Sequence, residues 1–310
     1  MESDKRFHSP PSLIAGCCRL NKRFQIWGYI FALPAAALIT FMFIVPMLQN
    51  IYLSFNESDG LSPMKFVGFG NYVHMFTDKN FLTSVSNSLI WVIFTIIFAV
   101  GFGLLIAVFV NGIYGENIIK SVFFMPLAIS FVSVGAIWWY MYSKEYGVIN
   151  QALQLFGMKT KIDWLYKIPL NNISLLIAWS WQQLGGNLVM FLMGLTSIPS
   201  EQIEASRIDG CGRWQTFAHI TFPMLKPITT VVVGMAIVNS FKAFDLIYIM
   251  TRGGPIRSSE TLAVNMFVES FQRNHQGLGA AIGVFLTLII LPITAFYMRV
   301  TSRVELADNK

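Results

Sequence analysis

The sequence predicts an all-α integral membrane protein built from six transmembrane helices. Of its 310 residues, 55% are hydrophobic and only 12% are charged, whereas about a quarter of the residues in a soluble domain are charged. Six segments are also apolar over the roughly 20 residues that a helix needs to cross a bilayer. Because lipid offers the backbone no hydrogen-bond partners, segments of this length are predicted to be helices.

The six predicted spans form one membrane domain at residues 25–310, after a polar tail at residues 1–24. They lie at about residues 26–51, 85–110, 121–142, 172–195, 227–250 and 278–300. An even number of spans leaves both ends of the chain on one side of the membrane. Arg19, Lys22 and Arg23 crowd the start of the first span, and Arg299 and Arg303 follow the last. Because Lys and Arg concentrate on the cytosolic side, both termini are predicted to be cytosolic.

Composition and motifs exclude several classes of function. The net charge of +6 is spread along the chain without a dense basic run, which favours contact with anionic membrane lipid over nucleic acid. The three cysteines lack the spacing of a metal site or a disulfide framework. The sequence has no glycine-rich phosphate loop of the Walker type. We therefore expect the chain to be no enzyme and to bind no ATP, metal or other cofactor itself.

The longest polar interruption in the second half of the chain, at residues 198–223, separates spans four and five. Pro199 suits the first turn of a helix, where its missing N–H needs no partner. Glu201 and Glu204 lie near that start, where the helix dipole favours negative charge. Asp209 and Gly210 then form a turn signal that ends the helix.

A second short helix is predicted to follow at residues 213–220. In it, Trp214, Phe217 and Ala218 recur at the spacing of one apolar helix face. Pro223 is expected to mark its end. The stretch is therefore predicted to be a helix, a glycine turn and a second helix, held between two membrane spans and available to a partner.

This stretch resembles the EAA loop of the ATP-binding-cassette importer permeases. The family pattern places EAA, then Gly four residues later, then I-x-L-P after nine more; here Ser206 replaces the second Ala and Phe222 replaces Leu. The resemblance implies a coupling loop at residues 198–223 that docks on an ATPase. The residues that it assigns to this coupling are Glu204, Ala205, Ser206, Asp209, Gly210, Ile220 and Pro223.

Short motifs in the predicted outer loops resemble the carbohydrate branch of that family. They are FVGFGNY at residues 66–72, YGVIN at 146–150, DWL at 163–165, MTRGGP at 250–255 and SETL at 259–262. Each alone is weak, but their order and spacing resemble the first transmembrane subunit of the maltose, lactose and glycerol-phosphate permeases. The large outer insert of the maltose-type subunit, of about 200 residues, has no counterpart between the predicted spans.

The resemblance implies a type I importer-permease bundle in the bacterial cytoplasmic membrane, with cytosolic termini. The chain would be one permease of a binding-protein-dependent, ATP-driven carbohydrate importer that works by alternating access. Its implied partners are a second homologous permease, two ATPase subunits that bind the ATP and Mg²⁺, and an extracytoplasmic sugar-binding protein. Three alternatives stay open: a polyol or glycerol-phosphate importer, an ion-coupled secondary transporter, which would show inverted repeats, and a membrane scaffold.

Span five carries two charged residues, Lys242 and Asp245, three positions apart and so on one helix face. Charges are costly inside a bilayer, so such residues face a partner or an aqueous path. Two interpretations stay open: the two side chains pair and lock the helices, or they line the path of the substrate. The resemblance places Phe241 and Lys242 where the maltose-type subunit contacts sugar.

Span four is predicted to contribute amides to the same path. Gln182, Gln183 and Asn187 interrupt its apolar sequence, and amides donate and accept hydrogen bonds, as a hydroxyl-rich ligand requires. Adjacent helical residues point about 100° apart, so Gln182 and Gln183 are not expected to face the same space. Hydrogen bonding between helices is the alternative use of these amides. The predicted substrate path comprises Gln183, Asn187, Phe241, Lys242 and Asp245.

Overall fold

The computed structural model describes residues 22–308, and this part of the chain is almost entirely helical. Its two strands, β1 (Asn56–Glu57) and β2 (Lys65–Phe66), pair antiparallel in a short hairpin. Most of the predicted tail, residues 1–21, lies outside the described residues. The chain divides into two compact units, residues 1–50 and residues 51–310.

Several of the α-helices are joined end to end through wider π-helical turns. The α-helices of the described residues are α1 (Lys22–Ile39), α2 (Val45–Ser54), α3 (Gly70–Thr77), α4 (Lys79–Phe94), α5 (Gly101–Val110), α6 (Glu116–Phe124), α7 (Phe131–Met141), α8 (Val148–Leu155), α9 (Leu170–Thr196), α10 (Ser200–Ile208), α11 (Arg213–Thr216), α12 (Phe222–Met224), α13 (Lys226–Phe241), α14 (Asp245–Thr251), α15 (Leu262–Phe267) and α16 (Gln276–Asp308). The π-helical turns lie at Thr40–Ile44, Thr95–Val100, Phe217–Thr221 and Val268–Gln272, and a 3₁₀ turn lies at Met125–Ala128.

By length and composition, three helical segments of the described chain can cross a membrane, at Tyr29–Ser54, Lys79–Val110 and Gln276–Arg299. They overlap the predicted spans one, two and six. The number rises to five if each of two bent helix pairs counts as one span. The 27-residue helix α9, predicted as span four, is not among them, because its amides lower its mean hydropathy. The predicted count of six is therefore not reached by length and composition alone.

In the first unit, α1 runs through a π-helical turn into α2. Pro34 lies inside α1. The large side chains along this stretch are exposed, as at Phe41 and Phe43. A continuous apolar surface of this kind needs cover by lipid or by protein.

The predicted third span, residues 121–142, is not one helix. Residues 116–128 and 131–141 meet at an angle of 100°. Side chains satisfy the backbone at this break: Ser130 Oγ accepts the Ser133 N–H at 3.2 Å, and Gln182 Nε2 donates to the Ile129 carbonyl at 2.7 Å. The break therefore needs no water to satisfy these groups.

The predicted fifth span, residues 227–250, is also interrupted. Helix α13 ends at Phe241, and α14 begins at Asp245. No Gly or Pro marks the interruption; the backbone of Phe244 leaves the helical region instead, at φ −130° and ψ −62°. Thr261 Oγ1 donates to the Ala243 carbonyl at 2.8 Å and so satisfies a group that the break frees.

Helix α9 is the centre of the second unit. Its N-terminal half packs Leu175, Leu176 and Trp179 into one hydrophobic cluster, and its C-terminal half packs Leu188 and Phe191 into another. All five side chains are at most 3% exposed. The broken third span and the α4–α5 segment both pack against this helix.

Two glycines let neighbouring helices approach α9 closely. A Cβ built on Gly185 would lie 1.9 Å from the Phe123 carbonyl oxygen, so the two backbones touch there. A Cβ on Gly103 would lie 2.9 Å from the Cβ of Asn187. Side chains larger than hydrogen are incompatible with these distances unless the helices separate.

Three asparagines hold the loop between α14 and α15 against the bundle. Asn87 Nδ2 donates to the carbonyls of Ser258 and Glu260, both at 2.9 Å. Asn172 Nδ2 donates to the same Ser258 carbonyl at 2.9 Å, and Asn171 Nδ2 donates to the Gly254 carbonyl at 3.2 Å. Side chains from α4 and α9 thus donate hydrogen bonds to loop carbonyls that, in a helix or sheet, would bond to other backbone groups.

The same loop carries a largely buried ionic network. Arg257 donates to both oxygens of Glu260 and to Glu269 Oε1, the latter at 3.1 Å. Arg273 and His275 also contact Glu269, each at 3.1 Å. Burial lowers the pKa of Arg257, but the two carboxylates outweigh it and raise the pKa above its ordinary value. The loop is therefore fixed by charge as well as by amides.

The close crossing at Gly185 can be tested by adding one methyl group. Gly185→Ala is expected to destabilise the fold by at least the roughly 1–3 kcal/mol typical of overpacking, because the Phe123 carbonyl belongs to a helix and cannot turn away. Gly186→Ala is the matched control, since a Cβ there meets only the end of the Leu127 side chain at 3.4 Å and Ala is the better helix former. Thermal unfolding in detergent should show a lower midpoint for Gly185→Ala alone. Equal midpoints would contradict the crossing.

Candidate functional site

The predicted coupling loop forms a helix, a glycine turn and a second helical segment. Helix α10 ends at Ile208 and Asp209 caps it; Gly210 follows with φ +79°, a conformation that favours glycine. The second segment is longer than predicted: it runs from Arg213 through a π-helical turn to Met224. The segment ends one residue after Pro223, the residue predicted to mark its end.

Ser206 joins the two halves of the coupling loop. It is only 3% exposed, and its Oγ donates to the Ile203 carbonyl at 2.7 Å and lies 3.1 Å from Thr216 Oγ1. Its carbonyl accepts the Cys211 N–H at 3.0 Å. Serine in place of the family's alanine thus adds a side-chain contact between α10 and α11.

The other residues predicted for coupling lie on or near the outer face of the loop. Glu204, Ala205, Asp209 and Gly210 are exposed, and Ile220 and Pro223 are half-buried. Ile208 and Trp214 are also exposed, by 86% and 76%. The loop therefore exposes carboxylates and large apolar side chains, and an exposed Trp of this kind is enriched at protein contact surfaces.

A cavity of about 320 Å³ brings together two of the predicted path residues, Gln183 and Asn187. It lies between the second, third, fourth and fifth predicted spans. Two polar residues that the sequence did not single out, Thr95 and Asn239, line it as well. Its remaining lining residues are Phe124, Leu127, Gly186, Val189, Met190, Met235 and Ala236.

Two polar atoms of the lining residues are buried without a hydrogen-bond partner, Asn187 Nδ2 and Thr95 Oγ1. Leaving a buried donor unsatisfied costs about 1–3 kcal/mol. Such groups are normally satisfied by water or by a ligand. The cavity is therefore equipped to bind hydroxyl groups.

Gln182 and Gln183 face different spaces, as their helical spacing predicts. Gln183 borders the cavity, whereas Gln182 is 2% exposed and donates to the Ile129 carbonyl at the break in the third span. Gln182 therefore makes a hydrogen bond to a neighbouring segment, which was the alternative interpretation of the amides in span four.

A second cavity, also of about 320 Å³, is bordered by Phe241 and Lys242. The structure therefore does not gather all five predicted path residues at one place. Phe241 is 5% exposed and packs in a hydrophobic cluster with Leu262 and Ile282. Lys242 and Asp245 are both exposed, and within the described chain no salt bridge joins them. The interpretation that they pair is wrong, because the break at residues 242–244 separates their helices.

The residues that the sequence analysis missed differ in how clearly their sequence context marks them. Asn239 is an amide inside an apolar segment, so the rule that found Gln183 and Asn187 applies to it equally. Thr95 lies in the apolar run of span two, where a single hydroxyl gives no signal. The Arg257 network depends on a loop conformation that sequence spacing does not reveal.

Residues 99–306 match the sequence family described as the inner membrane component of binding-protein-dependent transport systems. This range includes the coupling loop and most of the residues around both cavities.

Three relatives are similar over most of their length. The osmoprotective compounds uptake permease protein GgtC of Synechocystis sp. is 35% identical over 270 residues, covering 85% of this chain and 95% of the relative. The alpha-glucoside transport system permease protein AglF of Rhizobium meliloti is 32% identical over 286 residues, with coverage of 90% and 83%. The sn-glycerol-3-phosphate transport system permease protein UgpA of Agrobacterium fabrum is 30% identical over 281 residues, with coverage of 89% and 94%.

Two solved structures share the fold. A chain of a bacterial ABC transporter that imports the acidic polysaccharide alginate has a TM-score of 0.78 at 21% identity, covering 91% of this chain and 96% of that chain. A chain of the alginate transporter bound to a periplasmic protein that carries an alginate pentasaccharide has a TM-score of 0.78 at 20% identity, with the same coverage. The predicted fold class, an all-α importer-permease bundle, is confirmed.

Two asparagines in different surroundings test whether the cavity amide is structural. Asn87→Leu is expected to destabilise the fold by about 1–3 kcal/mol, because the Glu260 carbonyl loses its buried donor. Asn187→Leu is expected to leave stability unchanged or raised, because Asn187 Nδ2 has no partner to lose. Thermal unfolding of both variants in detergent is the measurement. A midpoint for Asn187→Leu as low as that of Asn87→Leu would assign Asn187 a structural role.

Proposed function

This chain belongs to the inner membrane components of binding-protein-dependent transport systems, and from that premise we propose that it is a permease subunit of an ATP-driven carbohydrate importer. The observation that carries the proposal is the exposed helix, glycine turn and helix at residues 198–224, inside the range that matches the family. The name of one relative, a permease for alpha-glucosides, supports a carbohydrate as the cargo.

An importer of glycerol phosphate is the second candidate. The exposed ammonium of Lys242 beside the second cavity favours it, and one relative carries that name. A cavity with amides and a hydroxyl but no charged side chain favours the neutral substrate. Uptake of labelled maltose, competed by unlabelled trehalose, sucrose or sn-glycerol 3-phosphate, separates the two candidates.

The proposed complex contains two permeases, two ATPases and an extracytoplasmic sugar-binding protein. The exposed apolar surface of α1 and α2 supports a second permease and membrane lipid as its cover. ATP and Mg²⁺ are proposed to bind the ATPase subunits, and hydrolysis to occur there. The chain itself would hold the path and transmit motion.

Coupling is proposed to pass through the angle between the loop and the fifth span. Residues 213–224 and α13 meet at 69°, so a push on the exposed face of the loop turns α13 rather than sliding it. Met235, Ala236 and Asn239 of α13 border the first cavity. A movement of α13 would therefore change the shape of that cavity, as alternating access requires.

The proposed topology places both termini and the coupling loop in the cytosol. In a variant whose three native cysteines are replaced, single cysteines at Arg213 and Ile256 test it, since both positions are exposed. An impermeant maleimide is expected to label position 256 in intact cells and position 213 only after permeabilisation. Labelling of position 213 in intact cells, or protection of position 256, would contradict the topology.

The proposed coupling role is tested by Glu204→Lys and Gly210→Pro. The first places like charges at the ATPase contact, which costs several kcal/mol; the second fixes φ near −65° and removes the N–H that Gly210 donates to the Arg207 carbonyl. Both are expected to lower uptake and ATPase stimulation by loaded binding protein at least about tenfold. Reconstituted ATP hydrolysis and ATPase pull-down are the measurements.

Two control variants match these substitutions. Gln202→Lys adds a lysine about 200° around α10 from Glu204, and Gly210→Asn keeps a residue that tolerates positive φ. Both are expected to retain coupling. Wild-type stimulation and pull-down in Glu204→Lys and Gly210→Pro would mean that another part of the chain contacts the ATPase.

A further inference from the structure

Thr95 differs from most helical threonines of the described chain in the use of its hydroxyl. In a helix, a threonine hydroxyl commonly donates to the carbonyl four residues earlier. Six threonines of the described chain do so at 2.8–3.1 Å: Thr40, Thr77, Thr83, Thr230, Thr251 and Thr287. Thr95 Oγ1 is buried and makes no such bond. Its hydroxyl is therefore available for a hydrogen bond to a group outside its own helix.

The surroundings of Thr95 indicate which group its hydroxyl could bind. Thr95 is 1% exposed, yet it lines the first cavity with Gln183 and Asn187. It begins the π-helical turn Thr95–Val100, and such turns within helices occur frequently at functional sites. The unpartnered Asn187 Nδ2 belongs to the same cavity. Two buried polar atoms from different segments thus lack partners at the same cavity.

We infer that Thr95 contacts the substrate and selects an uncharged, hydroxyl-bearing group as it passes this cavity. This inference rests on the proposed importer function and adds a residue from the second predicted span to its path. The threonine hydroxyl and the Asn187 amide together offer both donors and an acceptor, and each substrate hydroxyl needs both.

The side chains that line the cavity favour uncharged substrates over anionic ones. No charged side chain lines it, and Lys242 borders the other cavity. A phosphate or carboxylate entering it would be buried without a counter-ion, which is strongly unfavourable. A neutral sugar or polyol loses only hydration that the amides and the hydroxyl replace.

Thr95→Val separates this role from a structural one. Valine has nearly the same shape, and it removes a buried hydroxyl that has no protein partner, so the thermal midpoint is expected to stay unchanged or rise. A structural role predicts a lower midpoint. Thr229→Val is the matched control, because Thr229 Oγ1 is also buried and unpartnered but borders neither of the two cavities. Thr95→Ser restores the hydroxyl.

The assay is uptake into proteoliposomes that hold the complete transporter with its binding protein. The probes are radiolabelled maltose, trehalose and sucrose, with sn-glycerol 3-phosphate and glucuronate as anionic counterparts. Because the binding protein captures substrate outside, the contact should affect the maximal rate rather than the half-saturating concentration. Thr95→Val is expected to lower the maximal rate for a neutral probe about three- to tenfold, the value of one hydrogen bond. Thr95→Ser and Thr229→Val should stay within about twofold of the wild type.

Each outcome decides the matter. Wild-type rates in Thr95→Val, or an equal loss in Thr229→Val, would overturn the role of Thr95 and leave the importer proposal standing. Import of the anionic probes in preference to the neutral ones would overturn the neutral class and leave an ATP-driven importer. A wild-type complex that imports none of the five probes in the presence of ATP would overturn this inference together with the carbohydrate proposal.

Discussion

The contact between the backbones of α9 and α6 at Gly185 is the constraint on which the membrane domain depends. Because no side chain separates the two helices there, Gln182 reaches the Ile129 carbonyl on one side of α9 and Asn187 reaches the cavity on another. If the helices stood a methyl group further apart, the break in the third span would lose its donor. Gly103 repeats the arrangement between α5 and α9. Small residues at helix crossings are the usual means of such close packing in membranes.

The breaks in spans three and five show how the fold makes cavities in a setting where irregular backbone is costly. Each break frees carbonyls that lipid cannot satisfy, and each is met by a side chain from another segment, Gln182 in one case and Thr261 in the other. Each of the two cavities is lined by residues at one of these interruptions, Phe124 and Leu127 in one case and Lys242 and Phe244 in the other. The helix interruptions thus lie next to the cavities, and buried amide and hydroxyl side chains satisfy the carbonyls that the interruptions free.

Sequence reasoning was most successful where one residue acts locally. Asp209 and Gly210 predicted the turn of the coupling loop, because glycine's freedom at positive φ does not depend on tertiary structure. Hydropathy located spans one, two and six, and α9 covers the predicted span four even though its amides keep its mean hydropathy below that of the other spans. The break after Phe241 has no Gly or Pro to announce it, so Lys242 and Asp245 were placed on one helix face that does not exist. The sequence does not mark Thr95, because the property that distinguishes it is the lack of a hydrogen-bond partner for its hydroxyl in the folded protein.

The buried ions of Arg257, Glu260 and Glu269 protect the loop between α14 and α15 from the effect of dissolved salt. Dissolved salt weakens attraction between exposed charges separated by more than a Debye length, about 8 Å at physiological ionic strength, but screens buried pairs far less. Glu260 and Glu269 are nearly inaccessible, and their partner Arg257 is 18% exposed. The loop therefore keeps its shape in dilute and in saline surroundings alike.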